Sequence, residues 1–163
     1  HSFNVALLAT VIHEQLKNFF FEHNIIIRKE WVSLAAVFHD LTEIETGDII
    51  TPVKYSSEGF YKEIKSLELK AKNTLIQEYG TGIKAVDYIS YLNSDEILFL
   101  KTVDYFSILC KIDWENNLGN KFFVKNIISE VSERSIDLKN HILTNKLYEE
   151  YIEPLIQNLK REL

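Results

Sequence analysis

His39, Asp40 and Glu43 stand within five positions of one another, and on a helix His39 and Glu43, four apart, share a face. The residues one and two turns earlier on that face are Val32, Ala35 and Ala36, small enough to let another helix come close. A histidine and a carboxylate turned toward a neighbouring helix can form a metal corner. The competing reading is a helix that ends in solvent at His39-Asp40. His1 extends the inward stripe Val5, Leu8, Ile12 and Phe19, and a lone histidine on an apolar face is more often a satisfied core residue than a ligand. Asp104 lies in a stretch that is apolar over most of its circumference, on the remaining arc with Lys101, Ser107 and Lys111. That arc also carries Ile97, Leu100 and Ile108. Periodicity favours a surface Asp104 paired with Lys101, a contact worth little. His13 falls on the polar side of its helix, and His23 and His141 read as exposed.

Taken together, His1, His39, Asp40 and Asp104 offer two imidazoles and two carboxylates. That set suits Mn, Fe, Co, Ni or Zn better than Ca or a fully hydrated Mg. One such ion can polarise a phosphoryl oxygen and lower the pKa of a water. Chemistry of this kind also needs a proton shuttle beside the ion. Glu43, on the His39 face and not required as a ligand, is the natural candidate.

Six helices must position these residues, in an all-α fold of one domain over residues 1–163. The first runs from about His1 to Phe20. The second spans Lys29 to Glu43, with Trp31, Leu34, Phe38 and Leu41 as its main apolar stripe. Thr46 to Ser57 holds Gly, Pro and small polar residues and reads as a loop. A third helix covers Tyr61 to Tyr79, with Ile64, Leu67, Ala71 and Leu75 inward, and stops near Gly80 and Gly82. The fourth starts after Asn93 and Ser94, which are good N-caps, and continues to about Asn116. Two more follow near Lys121–Asn140 and Leu147–Leu163. Only five Gly and two Pro occur in 163 residues, too few chain-reversing residues for a sandwich of many short strands.

The net charge of -6 and a pI near 5.4 argue against nucleic-acid polymers and anionic lipid as partners. A small phosphorylated substrate stays open, because one metal ion reverses the local field. The single cysteine, Cys110, excludes an internal disulfide and a thiolate cage, and its apolar setting reads as packing. No apolar run approaches the roughly 20 residues that span a bilayer, and nothing resembles a signal peptide. The expectation is a soluble, cytoplasmic protein. There is no Met, and the expectation is that the native start is missing.

The stretch from His39 to Tyr55 resembles the signature of the HD-domain 5'-deoxynucleotidases. Their pattern reads His-Asp, Glu three residues after the Asp, Gly-Asp, then Thr-Pro-Val-Lys-Tyr, and here His39-Asp40, Glu43, Gly47-Asp48 and Thr51-Pro52-Val53-Lys54-Tyr55 stand in register. His1-Ser2 is similar to the end of the family's Glu-His-Ser, and Lys101-Thr102-Val103-Asp104 to its late helix. The likeness is good over residues 34–111 and loose at the ends. It implies an HD-domain helical bundle with His1, His39, Asp40 and Asp104 on one divalent ion, against the periodicity reading of Asp104. It implies Glu43 as acid/base, Asp48 as a second acid near substrate, and Thr51 and Lys54 as substrate contacts. It further implies deoxynucleoside 5'-monophosphates as substrates, and a homodimer. The family places an Arg-Trp pair upstream of its first His that helps select deoxyribose and hold phosphate; this sequence begins after that point, so no visible residue supports sugar selectivity. Two rivals share the ligand set: an HD-type dNTP triphosphohydrolase, and a non-catalytic nucleotide-binding HD module. The few lysines near the motif, Lys54 and Lys62, favour the monophosphate, and binding alone would not require Glu43.

Overall fold

Helix α1 (Ser2–Glu22) buries Val5, Ala6, Ala9, Ile12, Leu16 and Phe20, an apolar stripe repeating every three to four residues. In this computed structural model, which describes residues 1–47, 57–79 and 84–162, that stripe packs along helix α2 (Lys29–Phe38). The chain reverses between them at Asn24, whose φ of 53° lies in the left-handed region that asparagine tolerates better than most residues. Helix α2 turns Val32, Ala35 and Ala36 inward. With no side chain beyond a methyl at two of these positions, α1 and α2 can approach closely.

The predicted stripe on α2 is corrected. Trp31 and Leu34 are more than one third exposed. Trp31 and Phe38 pack instead against Tyr88 and Tyr91 of the 3-10 segment Lys84–Tyr91, with ring centroids 5.7–5.9 Å apart. Two opposite faces of α2 are thus apolar, and the smaller side chains took the core. Helix α2 also ends at Phe38, not Glu43. Residues 39–42 form turns, and Glu43–Thr46 is a separate short helix, α3.

Helix α4 (Glu58–Tyr79) buries Ile64, Ala71 and Leu75, whereas Leu67, expected inward, is half exposed. Helix α5 (Ser94–Asn117) is the spine of the molecule. Its start is a reciprocal capping box, in which the Asn93 side chain accepts from the Glu96 N–H and Glu96 accepts from the Asn93 N–H. Phe99, Leu100 and Val103 join the core made with α1 and α2. Leu109 and Ile112 join a second core cluster, made with Val124, Ile128 and Val131 of α6 (Lys121–Arg134). The predicted helix over 121–140 breaks at Arg134 into the 3-10 segment Ser135–Asn140. The predicted helix over 147–163 is a chain of shorter pieces. Helix α7 (Ile142–Leu147) runs into a π-turn (Tyr148–Ile152), and then α8 (Glu153–Arg161), with Pro154 in its first turn.

Six helices of nine residues or more stand among the described residues, and no strand does. No described helix is long and apolar enough to cross a membrane. His13, assigned to the polar side, is partly buried, with its Nε2 3.1 Å from the Ile27 carbonyl oxygen.

Candidate metal centre

Three elements deliver side chains to one point. His1 precedes α1, His39 and Asp40 follow α2 directly, and Asp104 projects from the middle of α5. His1, His39 and Asp40 each offer one ligand atom, and these atoms all lie within 4.8 Å of one another. Asp104 Oδ1 lies 2.7 Å from His1 Nε2 and 3.7 Å from His39 Nε2. His39 Nε2 is 3.0 Å from Asp40 Oδ2. The two imidazole rings are 5.7 Å apart at their centroids.

The tautomer of His39 follows from its other nitrogen. Nδ1 lies 2.7 Å from the Ala36 carbonyl oxygen, which can only accept, so Nδ1 carries the proton. In the neutral ring Nε2 then presents a lone pair toward two carboxylate oxygens. Lone pairs facing lone pairs repel, and only a proton or a cation between them reverses the sign. Burial by itself would lower the His39 pKa. The hydrogen bonds to Asp104 and the Ala36 carbonyl, with the charges of Asp40 and Asp104, outweigh it and raise the pKa above the ordinary value. A divalent ion would answer the same demand by displacing that proton. The donor set therefore fits a metal ion, and the Ala36 carbonyl supplies the outer hydrogen bond that orients a histidine ligand. His1 is similarly steadied by Ser107, whose hydroxyl lies 3.3 Å from its Nδ1.

The early end of α2 belongs to the same geometry. The His39 ring competes for the Ala36 carbonyl, an acceptor the helix ladder would otherwise use. Beyond Phe38 the bonds tighten to the i→i+3 kind: the Leu41 N–H reaches the Phe38 carbonyl and the Glu43 N–H the Asp40 carbonyl, at 3.1 and 2.9 Å. In such a turn residues three apart eclipse, which brings Glu43 to the side of Asp40. Glu43 lines the same cleft as His1, His39, Asp40 and Asp104, a space of about 970 Å³ that continues past Ile108 and Lys111 to Trp114 and Phe123. Glu43 thus reaches the cleft wall from a different element than spacing on one helix implies.

Five of the predicted site residues are together: His1, His39, Asp40, Glu43 and Asp104. Asp48, Thr51 and Lys54 lie outside the described residues. Cys110 lines the cleft, but burial, first, and Asp113, second, push its thiol pKa up, so it is a poor nucleophile. Ser107 and Lys111, to which sequence reasoning assigns no role, also line the cleft; their offsets of three and seven from Asp104 place them on its face of α5.

A helical bundle that gathers His, His-Asp and Asp from three elements into one cleft has the arrangement of an HD-type domain. A family model described as 5'-deoxynucleotidase YfbR-like matches residues 1–155. A 5'-deoxynucleotidase of Photobacterium profundum is 30% identical over 129 residues, covering 77% of this chain and 65% of the relative. One from Pectobacterium atrosepticum is 32% identical over 128 residues, covering 76% of this chain and 62% of the relative. One from an Enterobacter strain is 30% identical over 128 residues, at 76% and 63%. The chain thus spans slightly less than two thirds of the length of these relatives. No solved structure matches it. The chain belongs to the YfbR-like 5'-deoxynucleotidase family of the HD-domain superfamily, and that family implies a divalent metal.

Proposed function

We propose that this chain hydrolyses the 5'-phosphate ester of deoxynucleoside monophosphates, releasing nucleoside and orthophosphate. One observation carries the reading: His39, its Nδ1 proton committed to Ala36, aims Nε2 at Asp40 and Asp104 and leaves a place that only a proton or a cation satisfies. His1, His39, Asp40 and Asp104 would hold a divalent transition ion of the Mn, Fe, Co, Ni or Zn kind. When bound, such an ion polarises a phosphoryl oxygen and acidifies a water.

The chain's own groups do the rest. Glu43, on the cleft wall, takes the proton of the attacking water as the new P–O bond forms. That proton is then available to the 5'-oxygen as the ester P–O bond breaks. Small side chains at Ala35 and Ala36 let α2 lie close to α1, which brings His39 near His1, and catalysis is chiefly positioning and electrostatics. The family resemblance extends the site to Asp48 beside the leaving sugar and to Thr51 and Lys54 at the substrate. The face Phe3, Leu7 and Val11, on successive turns of α1, stands exposed and is the surface we assign to a homodimer. The net charge of -6 fits a protein of the cytoplasm that binds small molecules rather than polymers.

The test is product analysis by anion-exchange chromatography after incubating the Mn- or Co-loaded protein with dAMP and dATP in parallel. Nucleoside and orthophosphate from dAMP are expected. Intact triphosphate released from dATP would move the chain to the triphosphohydrolases. No turnover of either, with metal bound, would make it a binding module.

A further inference from the structure

We propose that Lys111 is a cation that holds the substrate's phosphate in this cleft, an inference that rests on the phosphohydrolase reading. Asp40, Glu43 and Asp104 all line the cleft, so three negative charges meet the two positive charges of a divalent ion. A phosphate monoester brings up to two more negative charges near pH 7, its second pKa being about 6. Ion and carboxylates together are still net negative, and an anionic substrate needs another cation nearby. Among the described residues that line the cleft, Lys111 is the one lysine or arginine.

Position agrees with charge. Lys111 follows Asp104 by seven residues on α5, two turns on, about 10 Å along the axis and within about 20° of the same face. Side chains on a helix lean toward its N-terminus, so the flexible stem of Lys111 leans back along the cleft toward Asp104. Between them stand Ser107, which steadies His1, and Ile108, neither of which carries charge.

Several other lysines are committed to carboxylates: Lys29 to Glu14 at 2.6 Å, Lys62 to Glu58 at 2.7 Å, and Lys65 to Glu68 and Lys146 to Glu150 at 2.6 Å. Lys111 has no carboxylate within ion-pair distance among the described residues. A free ammonium in a cleft lined by acids is placed for an incoming anion.

The experiment compares wild type, Lys111→Gln, Lys111→Arg and Lys54→Gln, all Mn-loaded and at one ionic strength. Inorganic phosphate binding is measured by calorimetry, and kcat and KM are measured for dAMP. Lys111 is exposed, so its variants are expected to keep the wild-type Tm and Mn affinity. For Lys111→Gln the phosphate Kd and the dAMP KM should both rise about tenfold to a hundredfold, the range for a hydrogen bond to a charged group. Its kcat should stay within a few-fold, and Lys111→Arg should recover most of the loss. Wild-type phosphate affinity in Lys111→Gln overturns the assignment, whether or not Lys54→Gln loses it. So does a wild type that binds no phosphate. Failure of the wild type to turn over any monophosphate, with phosphate bound through Lys111, would instead overturn the reaction and leave the anion site standing.

Discussion

Two carboxylates on α5, Glu96 and Asp104, stand eight residues apart and have opposite fates. Glu96 is fully buried, and its oxygens accept four hydrogen bonds. Arg28 gives three of them, from its backbone N–H at 2.7 Å, Nε at 2.8 Å and a terminal nitrogen at 2.6 Å, and the Asn93 N–H gives the fourth at 2.8 Å. Each lone pair is matched. Asp104 is about one third exposed, and a single oxygen serves two imidazoles, one of which turns a lone pair toward it. The first carboxylate is satisfied by the fold; the second shares a hydrogen bond with His1 and faces the His39 lone pair, which a proton or a cation between them would reconcile. A buried charge whose partners are complete holds elements together; a charge cluster whose donors do not balance its acceptors is a candidate for binding a cation.

The comparison can be broken from either end. The largest effect is expected at the unbalanced end, where Glu43→Gln should lower kcat by about 10²–10⁴, as loss of a general base does. Metal stoichiometry, read by elemental analysis, should stay at one ion per chain, and unchanged turnover would remove Glu43 from the mechanism. At the balanced end, Glu96→Ala leaves Arg28 and two backbone N–H groups without their acceptor. A destabilisation of about 1–3 kcal/mol is expected from urea unfolding, the range for buried donors left unsatisfied, because the Arg28 side chain can turn to solvent.

The titration of Glu96 refines that figure. Burial alone would raise its pKa, but the bonds from Arg28, Asn93 and the Arg28 backbone, with the Arg28 charge, hold it below the ordinary 4.5. A depressed carboxylate stabilises the fold above its unfolded pKa, and that contribution fades as pH falls from about 4.5 through the lower folded value. Acid unfolding of Glu96→Gln should therefore show a shallower pH slope below 4.5 than wild type. Parallel curves would mean that Glu96 does not carry the dependence. The smallest effect belongs to the surface pairs. Replacing Lys62 or Glu58, 2.7 Å apart and both well exposed on α4, should leave Tm unchanged within error, since exposed pairs contribute little.

The same contrast explains what was legible in the sequence. The order of long helices and the Asn93 cap could be read because their signals are local. His39-Asp40 stood out through the stretch that follows it, although Asp48, Thr51 and Lys54 in that stretch lie outside the described residues. Asp104 misled periodicity for a physical reason. Helix α5 serves two core clusters, Phe99 and Val103 in one and Leu109 and Ile112 in the other, so little of its circumference is left to contrast. The Arg28–Glu96 pair spans 68 residues, and no spacing rule reaches that far. Glu96 reads locally as a first-turn acid that suits the helix dipole. The stop of α2 at Phe38 turns on one imidazole finding one carbonyl, which hydrophobic pattern does not encode.

The proposed chemistry requires a cation between His39 and the carboxylates. The direct measurement is titration of the metal-free protein with Co(II), followed by visible absorption and calorimetry, for wild type, His39→Ala, Asp104→Ala and Glu43→Gln. One tight site is expected in wild type and Glu43→Gln, with a marked loss of affinity in His39→Ala and Asp104→Ala. Wild-type Co(II) affinity and spectrum in His39→Ala would contradict the account.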